Sequence, residues 1–117
     1  MASLLPLLVL SERELHIRIL PGLSEDAERE VLAYFQTHLP EALAAAQTSA
    51  GNPHNPKLRP LQQQLPLAIK ATAYYRELEA GVAQAGFAAC TLSYEKFFLI
   101  DGVPRIAELQ LQCPIKP

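Results

Sequence analysis

The stretch Thr91–Cys113, TLSYEKFFLIDGVPRIAELQLQC, decides the fold. Asp101-Gly102 is a strong two-residue hairpin signal, because the tight turn needs positive φ at residues that tolerate it. If Ile100 pairs with Val103, facing positions sum to 203 throughout the hairpin. Leu92 then faces Leu111, Tyr94 faces Leu109, Phe98 faces Arg105 and Cys90 faces Cys113. On the opposite side Thr91 meets Gln112 and Ser93 meets Gln110. One face is largely apolar and the other largely polar, so the register checks itself.

Upstream, Leu15, Ile17 and Ile19 alternate with Glu14, His16 and Arg18, the pattern of a half-buried strand. The apolar run Leu4–Leu10 before it reads as a buried strand and completes a second hairpin. That run lacks a preceding basic segment and is far shorter than the roughly 20 residues of a membrane span, so no membrane insertion is expected.

Two helical patterns lie between the hairpins. Ser24 is a good N-cap, followed by Glu25, Asp26 and Glu28 in the first turn. Ala27, Val31, Phe35, Leu39, Ala42 and Ala46 make one helical face, with a kink or short break expected at Pro40, which restarts a second helical piece at its first turn. Leu67, Ala71, Tyr74, Leu78, Val82 and Ala85 make the next, starting near Pro66 and stopping at Gly86. Between them Pro53, Pro56 and Pro60, with Gly51 and Asn55, predict a Pro-rich loop at about 47–65. The expectation is a single α+β domain over 1–117: a mostly antiparallel four-stranded sheet in the order β-β-α-α-β-β, with helices packed on one face.

Composition sets the broad class. The chain has 117 residues, half of them hydrophobic, and a net charge of −2, enough apolar material for a core and too little charge for disorder. Cys90 and Cys113 lack metal spacing; facing each other in this register they could form a cross-strand disulfide, but free buried thiols in a reduced, cytoplasmic chain are the default.

Charge is uneven. No acid occurs between Glu41 and Glu77, where Lys57, Arg59, Lys70 and Arg76 are all basic. With His54 these residues make a candidate interaction loop and its flank, for a protein surface or, on thin evidence, a phosphate backbone. A second candidate is the polar sheet face. The hairpin register opposes Glu95 to Glu108, and His16 and Arg18 lie on the polar side of a strand in the same sheet. Such a group suits acid/base or metal chemistry, whereas an Arg lying between the acids would make it an ordinary solvated face.

No Gly-rich phosphate loop, G-x-S-x-G, H-E-x-x-H or paired metal-spaced cysteines occur, so no catalytic residue, metal or cofactor is expected. The leading expectation is a non-enzymatic interaction protein, an accessory or assembly subunit or a homo-oligomer, working by protein–protein contacts. A small enzyme or ligand- or metal-binding protein using the polar face is the alternative. Weak nucleic-acid binding through the basic block is a third.

Overall fold

The computed structural model describes residues 5–11, 14–48 and 56–115, the first segment by its backbone alone. Strands β1 (Leu5–Ser11) and β2 (Glu14–Leu20) open the chain. Helices α1 (Glu25–His38), α2 (Pro40–Gln47), α3 (Arg59–Lys70) and α4 (Ala73–Gln84) follow, with a short 3-10 turn at Pro56–Leu58. Strands β3 (Thr91–Ile100) and β4 (Val103–Pro114) close it.

The expectation of a four-stranded sheet beneath two helices is corrected. Among the described residues the helices number four, and the sheet they pack against is the three-stranded antiparallel layer β2-β4-β3. The backbone of β1 runs antiparallel along the outer edge of β2, so the hydrogen-bonded order is β1-β2-β4-β3. The expected burial of Leu4–Leu10 lies outside the described side chains.

The helix boundaries have local causes, and the restart expected at Pro40 is found. Ser24 Oγ accepts the Ala27 N–H at 3.1 Å and caps α1. Pro40, which has no N–H to give, sits in the first turn of α2, so the stripe breaks at Leu39. Helix α3 begins at Arg59, which shortens the expected 47–65 loop; residues 49–55 lie outside the described residues. Pro66 therefore lies inside α3 and does not open it. The expected helix from Pro66 to Ala85 is split at Thr72, whose Oγ1 accepts the Tyr75 N–H at 3.1 Å and donates to the Ile69 carbonyl at 2.6 Å. A buried Thr that caps one helix while binding the end of another forces a corner there.

The core lies between the two layers. Ile17, Ile19, Leu109 and Leu111 from the sheet meet Val31, Phe35, Leu61, Leu65 and Ile69 from the helices, all nearly inaccessible. The β3–β4 register is the expected one, from Thr91 opposite Gln112 to Ile100 opposite Val103. Asp101 and Gly102 both have positive φ, as the tight turn requires.

Side-chain direction departs from simple alternation. Lys96 has φ +56°, and beyond it Phe97 and Leu99 on β3, with Pro104 and Ile106 on β4, are the buried residues. Before it the inward set is Leu92, Tyr94, Leu109 and Leu111. The inward parity changes midway along the hairpin while the pairing stays in register. This corrects the placing of Phe98 and Arg105 on the buried face, and it shapes the site below.

At the open end of the hairpin Cys90 and Cys113 are joined by a disulfide, with Cα atoms 4.2 Å apart. Directly facing positions bring two sulfurs within bonding reach, so the expectation of free thiols is corrected. With the pair bridged, reduced thiols no longer supply a reason to place the chain in the cytoplasm. Among the described residues no helix is long and apolar enough to cross a membrane.

Candidate functional site

The polar sheet face is assembled by β2, β4 and β3. Arg18 on β2 reaches diagonally past Gln110, the residue opposite it, to Glu108. Its Nε donates to Glu108 Oε1 at 2.8 Å and its Nη2 lies 2.6 Å from the same oxygen. Gln110 Nε2 donates to Glu108 Oε2, and Ser93 Oγ donates to Gln110 Oε1 at 3.3 Å. The Glu108 side chain is only 8% accessible. The Gln110 hydrogen bond first, and the Arg18 hydrogen bond second, hold its carboxyl below the ordinary range.

Glu95 does face Glu108 in the ladder, yet it is exposed and has no part in this network. His16 turns to its own strand, with Nε2 3.1 Å from Glu14 Oε2. Of the expected group, only Arg18 and Glu108 are brought together. A carboxylate with both oxygens engaged and a lowered pKa is a poor proton acceptor near neutral pH, so the network is better suited to binding three strands into one surface. Among the described residues no three His, Cys, Asp or Glu side chains are grouped to hold a metal ion.

The basic residues are spread out. Lys57 lies in the 3-10 turn, Arg59 opens α3, Lys70 ends it and Arg76 is exposed on α4. Arg59 and Lys70 are separated by the length of a helix, roughly 16 Å. His54 lies outside the described residues.

No residue pattern announces a cleft on the other side of the hairpin's parity change. A cleft of about 600 Å³ opens between the start of α1 and the distal half of the β3–β4 hairpin. Leu23, Phe98, Ile106 and Ala107 provide apolar walls, and Glu25, Asp26, Glu28 and Arg105 provide the charge. The parity change at Lys96 is what frees this surface: Phe97 and Leu99 turn into the core, leaving Phe98, Arg105 and Ala107 to line the cleft.

Two features fix its walls. Gly22 donates its N–H to the Ile106 carbonyl at 3.2 Å and lies so close to β4 that a Cβ would stand 2.4 Å from Ile106 Cγ1. Gln47 Nε2, at the end of α2, donates to the Gly102 carbonyl at 3.0 Å and ties down the hairpin tip.

Within the cleft Arg105 Nε lies 3.2 Å from Glu28 Oε2. Glu28 is 12% accessible and Arg105 is 48% accessible, so the acid is held inside and the base reaches in from solvent. Burial pushes the Glu28 carboxyl above its ordinary range; Arg105 opposes that shift and Glu25 adds to it. A neighbouring pair of opposite charges separated by 77 positions leaves no pattern that periodicity or motif spacing detects.

No known protein family, curated protein or solved structure matches the chain.

Proposed function

We propose that the protein is a non-catalytic binding module, an accessory or assembly subunit that holds a protein partner at the cleft between α1 and the β3–β4 hairpin. The observation that carries this reading is the cleft itself: concave, apolar-walled, and bordered by fixed backbone on both sides. Pockets of this size with a few convergent polar groups are where proteins hold ligands. Its side chains offer no nucleophile activated by a base. Ser24 Oγ is occupied as a helix cap, and the nearest raised carboxyl, Glu28, is committed to Arg105.

Acid/base chemistry on the polar face has less behind it, since Glu108 is fully engaged by Arg18 and Gln110. Nucleic-acid binding has less still, with Arg59 and Lys70 at opposite ends of α3.

Ala107→Phe tests the reading, because it adds bulk on the cleft wall without removing a core side chain. Native mass spectrometry of the tagged protein recovered from its own host is expected to show a stoichiometric protein complex for the parent and none for this variant. A folded variant that keeps the complex would place the contact elsewhere.

A further inference from the structure

We propose that the cleft takes a cationic side chain on an apolar stem, a Lys or Arg next to a bulky apolar residue in a segment of the partner. This rests on the binding-module reading and names the chemistry of its occupant.

Charge selects the sign. Three acids, Glu25, Asp26 and Glu28, line the cleft against one base, Arg105, so the lining carries two net negative charges. The positive end of α1 offsets only about half a charge. With Asp26 paired to Arg29, which lies outside the lining, and Glu28 to Arg105, the exposed carboxylate of Glu25 sets the sign at the mouth, which repels an anionic group and meets a cation directly.

The walls select the stem. Leu23 and Ile106 are buried side chains at the back of the cleft, and Phe98 and Ala107 are partly exposed beside them. Long basic side chains lay methylenes along such surfaces and keep the charged head at a polar rim. An adjacent apolar residue would cover Phe98 and the exposed Ile100.

The interior acid supplies the anchor. Glu28 is nearly enclosed, and its cationic partner Arg105 is half exposed, with Nε 3.2 Å from Glu28 Oε2. An incoming ammonium or guanidinium can share Glu28 with Arg105 or displace it toward water. Glu25, exposed on the same turn, then adds a second negative group at the mouth. The ties at Gly22 and Gln47 hold both walls in place beforehand, which lowers the ordering cost of binding.

The test uses the full chain and three end-blocked dipeptides, Phe-Lys, Phe-Gln and Phe-Glu, titrated by NMR with the amides of Phe98, Ile106 and Glu28 as reporters. Phe-Lys is expected to shift these signals with about threefold or greater preference over Phe-Gln, while Phe-Glu gives no shift. The preference is expected to shrink in high salt and in Glu25→Gln, whose exposed position spares the fold. Ala107→Phe is expected to abolish all shifts.

Equal binding of Phe-Gln and Phe-Lys would overturn the charge assignment, as would stronger binding of Phe-Glu. Absence of any shift with all three would overturn the occupant altogether. Tighter binding of hexylammonium than of Phe-Lys would assign the cleft to a small amine in place of a protein segment. These outcomes are separate from the complex test above: a partner lost with Ala107→Phe, together with no charge preference, would retain the binding module and remove this inference.

Discussion

Tyr94 on β3 uses its hydroxyl to satisfy a carbonyl that Pro66 in α3 leaves without its helical partner. Pro66 has no N–H, so the Gln62 carbonyl four residues earlier lacks its usual donor, and Tyr94 Oη donates to that oxygen at 3.3 Å. A proline inside a helix is thereby turned into the point where the helix docks on the sheet. Tyr94→Phe is expected to lower stability by about 1 kcal/mol in the parent and by less in Pro66→Ala, where the new N–H serves the carbonyl. The double-mutant cycle, measured by urea unfolding, should show coupling of about 0.5–1 kcal/mol. Equal losses in both backgrounds would show that the two residues act independently.

Two carboxylates should respond to acid with opposite signs. The Glu108 pKa is lowered in the folded protein, so its contribution is present above the ordinary carboxylate value and is lost as pH falls through the folded one. The Glu28 pKa is raised, so its contribution is present below the ordinary value and is lost as pH rises through the folded one. Glu108→Gln should therefore lower Tm at pH 7, and Glu28→Gln should raise stability there, by less than about 1 kcal/mol. Both differences should shrink as the pH is brought to 3. Thermal melts across that range give the check.

The disulfide should contribute mainly by restricting the unfolded chain. Cys90 and Cys113 are separated by 23 positions, and closing a loop of that size stabilises by about 3 kcal/mol. Denaturant unfolding with and without reductant should differ by this order in the parent and not at all in Cys90→Ser.

Close approach of backbone at Gly22 should make that position intolerant. In Gly22→Ala the new methyl would stand against Ile106 Cγ1 and, at 3.1 Å, the carbonyl carbon of Glu108. A loss of about 1–3 kcal/mol is expected in chemical denaturation, together with displaced NMR signals from residues lining the cleft.

Residue patterns vary in how much of this they disclose. Asp101-Gly102 allows one turn geometry, and that single constraint propagates along the whole β3–β4 ladder, including the meeting of Cys90 with Cys113. The parity change does leave a trace, since the apolar set on β4 moves from Leu109 and Leu111 to Ile106. Lys96 itself carries no such mark, because lysine has no special preference for positive φ. Thr72 is hidden for a different reason: the apolar stripe continues on both sides of it, and a cap is recognised only once the chain is seen to turn. The cleft is the least legible feature. Its walls come from segments around Leu23 and Ile106, brought together by the β2–β4 pairing, the Gly22–Ile106 hydrogen bond and the packing of α1 on β4.

That same β2–β4 pairing has a consequence for how the chain acquires its shape. The central ladder joins Glu14 to Pro114 and Ile19 to Leu109, so nearly the whole sequence lies between its two strands. Sheets closed by such distant partners form late, because a large loop must be gathered before the first pair is made. During synthesis, Ile17 and Ile19 must wait for Leu109 and Leu111 to leave the ribosome. Until then the early hairpin leaves open the β2 edge that β4 will cover, a period in which chaperone contact or misassociation competes with folding.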